Sequence, residues 1–485
     1  MEILKFVFIL IEVLVLFNLL IIVHEWGHFL AARWRKMYVD RFGIWFGKPI
    51  WQKKIKDVTY LIGIIPAGGF VSIPQMAPME AIEGKVAEDV KKLPPVKPID
   101  KIIVALAGPL FSFLLAIVFA LILWGIGKPV SETENTRTVG YVLKGSPADK
   151  SGILPGDEII SIDDAPVTQW SGMGDTVQWR IVSSQNETIK LTILRNGIIT
   201  NVYAKPIIEE TRIYERRGLR ELQMLPKETP IIARLFDNSP AAISGLKPND
   251  IVLEANGIKL LSPAMLSDII MTHSNQPIVL KIKRGEQIIT KEVKPVIPQI
   301  IAPDEKTAKA IKDEIRPMLG IVWEQGGLMK IVRVGPIEQI KTSVNAMVYT
   351  IQAIASPKSD IKLQHLSGPV GIIRIYYRLF ESDYGWRLAI WFSVILNVNL
   401  ALLNLVPIPV LDGGHILMSI FEIIRRKPFN IKILEKIQTA CAVLIIGYIV
   451  YISIFDTTEI SLRKKTKIEF KPPTEQVQHS ATEKN

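Results

Sequence analysis

The sequence predicts a multi-pass α-helical membrane protein with four transmembrane helices, an apolar β-hairpin behind the first of them, and two α+β modules outside the cytoplasm. The first observation is a set of apolar stretches at residues 3–23, 102–126, about 387–411 and 433–455. Each is long enough to cross a hydrocarbon core of roughly 30 Å at about 1.5 Å per residue. The second is charge placement. Arg33 to Lys56 holds eight Lys/Arg and one acid, Asp40, and Arg425, Arg426 and Lys427 lie between the third and fourth stretches, which marks both loops as cytoplasmic. The third is an internal repeat at an offset of 93, in which Gly145–Asp164 aligns with Asn238–Gly257.

The first span is expected to be retained rather than cleaved as a signal peptide, because "IIVHEWGHF" stands where a small-residue cleavage site would be needed. Asn397, Asn399 and Asn404 interrupt the third span, and amides at membrane depth need partners, so this span should face protein. Four crossings place residues from about 128 to 385 outside, along with a tail whose basic "SLRKKTKIEFKPPTEQ" opposes that placement; earlier charges usually dominate. The net charge of +11 is not gathered into an aromatic-interleaved patch, which argues against nucleic acid as a partner. The single Cys441 excludes an intramolecular disulfide framework and reads as a small residue of the last span.

The expected divisions follow. Residues 1–30 form the first helix, 31–98 a cytoplasmic loop with the hairpin, and 99–127 the second helix. Residues 128–215 and 216–325 are the two modules, and 326–384 an amphipathic connection with Ile337, Ile340, Val344, Met347 and Ile351 on one face. Residues 385–411 form the third helix, 412–430 a cytoplasmic segment, 431–456 the fourth helix and 457–485 a disordered tail. The hairpin is "KKIKDVTYLIGIIPAGGFVSI", alternating toward strand with a turn signal at Pro66, Gly68 and Gly69. So apolar a hairpin should dip toward the membrane or pack on the site. Residues 76–98 read as a polar, proline-containing linker.

Each module begins with Ser-Pro opening a short helix, a glycine (Gly152 or Gly245) ending it, and a Pro-x-Asp turn leading into an alternating apolar strand. This pattern resembles PDZ domains of the bacterial protease-associated type, whose Gly-Ile loop receives a peptide terminus beside a sheet edge. "MLGIV", with Gly320 and Ile321, matches that loop in the second copy, whereas "ELQML" in the first has no glycine.

The chemistry concentrates in "HEWGH". His24 and His28 are four residues apart on a helix and share one face, so both imidazoles can reach one metal ion. Glu25 lies about 100° around the helix, where a base can take a proton from a metal-activated water. A buried, hydrogen-bonded histidine pair is the plainer alternative, but ionisable groups within a span are costly and usually functional. A hydrolytic zinc site needs three protein ligands and an open position. The inner ends of spans one and three share a leaflet, and the latter reads "NLVPIPVLDGGH". Asp412 is its only carboxylate and the preferred third ligand; His415 is the competing one. Pro407 and Pro409 deny that stretch helical continuation, and Gly413 and Gly414 allow close backbone approach.

His24-Glu25-Trp26-Gly27-His28, "NLVPIPVLDG" and the tandem modules between them resemble the site-2 protease family of intramembrane zinc metalloproteases, within it the regulator of sigma-E protease (RseP) group, over nearly the whole chain. The resemblance implies zinc (Zn2+) held by His24, His28 and Asp412, Glu25 as catalytic base, and Asn404 orienting substrate backbone. It also implies a membrane-reentrant hairpin whose Gly68, Gly69 and Phe70 present a strand edge to substrate, and matches "LSGPVG" (Leu366 to Gly371) to a segment preceding span three. The implied reaction cuts a single-span membrane protein, an anti-sigma factor or a remnant signal peptide, after an upstream site-1 protease has removed its external part. The implied location is the bacterial inner membrane with the PDZ-like modules periplasmic. A membrane-anchored tandem PDZ scaffold without catalysis is the alternative, although a scaffold has no evident use for Glu25. A transporter would predict more polar spans and no PDZ-like modules.

Overall fold

The computed structural model describes residues 2–76, 93, 96–212, 215–274, 276–301, 316–427, 431–461 and 467–470. Nearly all of the expected 76–98 linker lies outside the described residues. The chain forms two compact units: Met1–Pro129, Val332–Thr350 and Leu366–Thr457 make the first, and Val130–Ile331, Ile351–His365 and Thr458–Asn485 the second.

The first unit is helical. Its elements are α1 (Glu2–Trp34), α2 (Pro98–Ile126), α3 (Pro336–Ala355, the last turn assigned to the other unit), α4 (Pro369–Glu381), α5 (Gly385–Asn404), α6 (Asp412–Arg425) and α7 (Ile431–Ser461, its end likewise divided). Among the described residues, four segments are long and apolar enough to cross a membrane: Ile3–Trp34, Pro98–Ile126, Gly385–Asn404 and Lys436–Thr457. α2 packs against α1, α5 and α6. It is suited to that central place because its buried residues are mostly small: Ala105, Ala107, Gly108, Ser112, Ala116 and Ala120 let helix backbones approach closely. Val13, Leu16 and Leu20 of α1 join Phe119, Tyr376 and Val394 in one apolar core. Within it the Tyr376 hydroxyl and Ser393 Oγ satisfy each other at 2.8 Å.

Three expected boundaries change. α1 continues beyond residue 30 to Trp34. α5 stops at Asn404 instead of 411, because Pro407 and Pro409 supply no N–H to a continuing helix. Residues 412–425, expected as loop, are the amphipathic helix α6, with Asp412 in its first turn and Arg425 in its last, both favourable to the helix dipole.

The hairpin comprises β1 (Arg41–Ile55) and β2 (Val58–Ser72). Both strands bend. Trp45 at φ 68° and Gly47 at φ 89° turn β1, while Gly63 lets β2 pass the Phe46 carbonyl, which an added Cβ would meet at 2.3 Å. Residues 41–44 of β1 therefore pair on one side with residues 59–62 and on the other with residues 69–72. Within this sheet the 69–72 segment has a strand on one side only, making it an edge.

The second unit holds both modules, each built on a four-stranded antiparallel sheet. In the first the order is Ala165–Pro166, Glu158–Ile162, Ile189–Arg195, Ile198–Ala204; in the second it is Ile258–Lys259, Ile251–Ala255, Ile278–Arg284, Gln287–Val293. Alternation puts Ile189, Leu191 and Ile193 in one core and Ile278, Leu280 and Ile282 in the other. The first module does not end at residue 215. Met224–Pro226 pairs with Val139–Val142 and Leu222 is buried in the first core, so this module continues through Pro226. The tail expected to be disordered contains a strand, Lys467–Glu469, paired antiparallel with Gln299–Ile301.

Candidate metal centre

The helical repeat of α1 brings the Nε2 atoms of His24 and His28 to 3.2 Å of each other, and both side chains are buried. Each ring is held from its far nitrogen by α2. His28 Nδ1 is 2.8 Å from the Val104 carbonyl oxygen, which only accepts, so Nδ1 carries the proton and Nε2 keeps its lone pair for a metal. His24 Nδ1 lies 3.0 Å from Ser112 Oγ. Gly108 makes the approach possible: a Cβ there would sit 2.2 Å from His28 Nε2.

Asp412 enters as the first residue of α6. The turn before it is held by Leu411 N donating to Ile408 O at 2.9 Å, and Gln438 Nε2 of α7 donates to Pro409 O at 3.3 Å. The glycines behind it are required by space. A Cβ on Gly413 would lie 2.2 Å from Leu405 O, and one on Gly414 2.2 Å from Ile408 O. Asp412 Oδ2 reaches His24 Nε2 at 3.3 Å and Oδ1 reaches His28 Nε2 at 3.3 Å.

These distances test the fit of a metal. A tetrahedral site with bonds of about 2.0–2.1 Å has ligand–ligand edges of about 3.3–3.4 Å. The separations here are of that size, 3.2 Å between the two Nε2 atoms and 3.3 Å from each of them to one oxygen of the Asp412 carboxylate, Oδ2 for His24 and Oδ1 for His28. Asp412 Oδ2 is also fully buried without a hydrogen bond, an arrangement a cation relieves. Among the described residues, His24, His28 and Asp412 are the group of metal-ligating side chains that converges within 4.8 Å. His415 lines the same cavity without belonging to that group.

The cavity, about 350 Å³, is also lined by Glu25, Asn404, Gly69 and Phe70. Asn404 Nδ2 is 3.3 Å from His24 Nε2, beside the ligand atoms. A Cβ on Gly69 would be 3.5 Å from Glu25 Cγ, so the hairpin edge runs against the glutamate stem. Gly68, at φ 83°, lies under the Phe46 ring, which would obstruct any side chain there at 2.0 Å. Gly320 and Ile321 belong to the other unit, where Gly320 takes φ 77° in the second module's loop.

Sequence reasoning missed Val104, Gly108 and Ser112, which set the orientation of both imidazoles, and Asn18, whose Oδ1 accepts from Trp45 Nε1 at 2.7 Å and ties the hairpin to α1. The available signal was the spacing of Val104, Gly108 and Ser112 at intervals of four, one face of an otherwise apolar span.

The model of peptidase family M50 matches residues 12–448. A Xylella fastidiosa (strain Temecula1) protein named "Putative zinc metalloprotease" is 28% identical over 447 residues, 90% of this chain and 95% of its own length. A Salmonella typhimurium protein named "Regulator of sigma-E protease RseP" is 25% identical over 453 residues, 89% of this chain and 94% of its own. The crystal structure of the PDZ domain of a Listeria innocua SdrC-like protein is 22% identical and covers 20% of this chain and 96% of that one at a TM-score of 0.15, too low to bear on the fold.

Proposed function

The chain belongs to peptidase family M50, and from that premise we propose that it cuts single-span membrane proteins in or beside their bilayer segment, after another protease has removed the external domain. It is a membrane protein and a zinc metalloprotease. We assign the zinc to His24, His28 and Asp412, the proton transfers to Glu25, and substrate alignment to Asn404 and the Gly68-Gly69-Phe70 edge. The single observation that carries this assignment is the convergence of the two imidazole Nε2 atoms, 3.2 Å apart, on the Asp412 carboxylate, each 3.3 Å from one of its oxygens, in a cavity that Glu25 also lines.

Bound zinc supplies Lewis acidity, which polarises an amide carbonyl and makes water acidic enough to attack it near neutral pH. The rest of the chemistry falls to the chain. Glu25 takes the proton from the attacking water and delivers it to the leaving amide nitrogen. The hydrogen bonds to Val104 and Ser112 hold both imidazoles in orientation, and the Val104 carbonyl also fixes the His28 tautomer that ligation requires. A substrate helix uses its own carbonyls internally, so it must unwind before cleavage. The 69–72 edge can pair with the extended form, and the Asn404 amide can bind its backbone.

The hairpin is suited to a lipid-facing position, since Ile50, Trp51, Ile64 and Ile65 are all exposed. We place the basic loops on the cytoplasmic side of a bacterial inner membrane and the modules in the periplasm, and the sigma-E pathway named for the Salmonella relative makes an anti-sigma factor the first substrate to test. The test reconstitutes the chain in lipid vesicles with a single-span protein lacking its external domain, and maps the product ends by mass spectrometry. The expected result is one cut in or next to the apolar span, lost with a chelator and restored by zinc. Binding without cleavage would favour the scaffold alternative, and cleavage that ignores the chelator would overturn the metal-dependent mechanism.

A further inference from the structure

The described tail residues Lys467–Phe470 lie on the second module. Glu469, Ile468 and Lys467 pair with Gln299, Ile300 and Ile301 in an antiparallel two-stranded ladder separate from the module's four-stranded sheet. The next residue, Phe470, is only 5% exposed although it stands near the end of a charged and proline-rich sequence. Its ring centroid is 5.9 Å from that of Phe236, and the Arg234 guanidinium lies 5.5 Å from the Phe236 centroid. The space it uses exists because residue 320 is glycine: a Cβ there would meet Phe470 Cε2 at 3.0 Å and Ser239 Cβ at 2.3 Å.

The first module provides an internal control. Ala148 N donates to Leu222 O as Ala241 N does to Leu319 O, and Leu143 N to Gln223 O as Phe236 N does to Gly320 O. Leu143 therefore stands where the second module has its aromatic Phe236, and Gln223 where it has Gly320. Only the second copy combines an aromatic partner with a residue lacking a side chain.

We propose that the Gly320 loop of the second module is a binding site for an extended peptide carrying an aromatic side chain, and that the chain's own Lys467–Phe470 fills it in cis. The site takes an internal Phe rather than a chain end, because Phe470 is followed by fifteen further residues. A peptide arriving from another protein must displace the tail before it can bind. The site is independent of proteolysis, so its test neither needs nor interrogates the metal centre.

The probe is a fluorescent peptide of residues 465–474, KTKIEFKPPT, titrated into the detergent-solubilised full chain and its Phe470→Ala variant. The expected result is saturable binding to the variant, at least tenfold tighter than to the unaltered chain, and at least tenfold weaker when the peptide itself carries Ala in place of Phe. Equal binding to both chains, or none to the variant, overturns the proposal. A second measurement keeps an aromatic ring at the position: a photoreactive benzophenone amino acid in place of Phe470 should cross-link to residues 234–239 or 318–322. A cross-link confined to other parts of the chain overturns it as well.

Discussion

The two units hold their essential polar groups in opposite ways. Among the described residues of the helical unit the metal-ligating group occurs once, drawn from α1 and α6 and oriented by α2. In the other unit each device occurs twice. Ser146 Oγ accepts from Asp149 N at 3.1 Å and Ser239 Oγ from Ala242 N at 3.2 Å, each opening a short helix. Arg195 grips Asp157 through two nitrogens at 2.6 Å, while Arg284 grips Asp250 at 2.7 Å; both also donate to the carbonyl of the preceding glycine, Gly152 or Gly245. Duplication leaves the scaffold intact in both copies and lets their loops diverge, as Gln223 and Gly320 have done. The contrast implies that substitutions in the first unit remove activity with little loss of fold, and those in the second destabilise one module with little effect on metal.

The largest expected effect is Asp412→Ala, which removes one of three ligands: zinc content and cleavage should both fall below detection, while His415→Ala retains zinc. Metal analysis of the purified variants checks this, and the reverse pattern would make His415 the ligand. Next come Gly108→Ala and Ser112→Ala. The first pushes His28 from its place and the second removes the hydrogen bond on His24, so zinc affinity should drop about 10–100-fold in chelator competition, as is usual when a ligand's support is lost.

In the second unit, Arg284→Ala leaves the 1%-exposed Asp250 carboxylate without its cation and should lower the unfolding temperature of the module at unchanged zinc content. Burial pushes the Asp250 carboxyl upward, but the bonds from Arg284 and Lys247 outweigh it and hold the group below its ordinary value. A depressed carboxyl stabilises above its unfolded pKa, so this contribution should vanish as the pH falls below about 4 and be absent from the variant. Acid titration of thermal unfolding distinguishes the two chains. The smallest effect is Gln223→Gly. Gln223 has φ 56°, a left-handed conformation that costs a side-chain-bearing residue about 1 kcal/mol, so glycine should stabilise the first module by less than that.

The part of this architecture legible in the sequence is what local pattern encodes. Apolar runs located four spans, the offset repeat located two modules, and the box at His24 with the carboxylate at Asp412 named groups that the fold does bring together. The hidden part depends on how helices pack. The four-residue spacing of Val104, Gly108 and Ser112 puts them on one face of α2, but nothing local says that this face meets the imidazoles, which is decided by how α2 packs on α1. α6 was obscured because Gly413 and Gly414 look like loop residues, whereas here they serve close approach to the Leu405 and Ile408 carbonyls. The tail strand escaped notice because charge and proline dominate its composition, while its order depends on Phe470 finding a pocket distant in sequence.

The most direct test is Glu25→Gln, with zinc content and cleavage of a single-span substrate measured on the same preparation. Removing a general base while keeping all three ligands should leave one zinc per chain and lower cleavage by at least about 10²-fold. Cleavage at the unaltered rate with zinc retained would contradict the role of Glu25 and, with it, the catalytic assignment of the cavity.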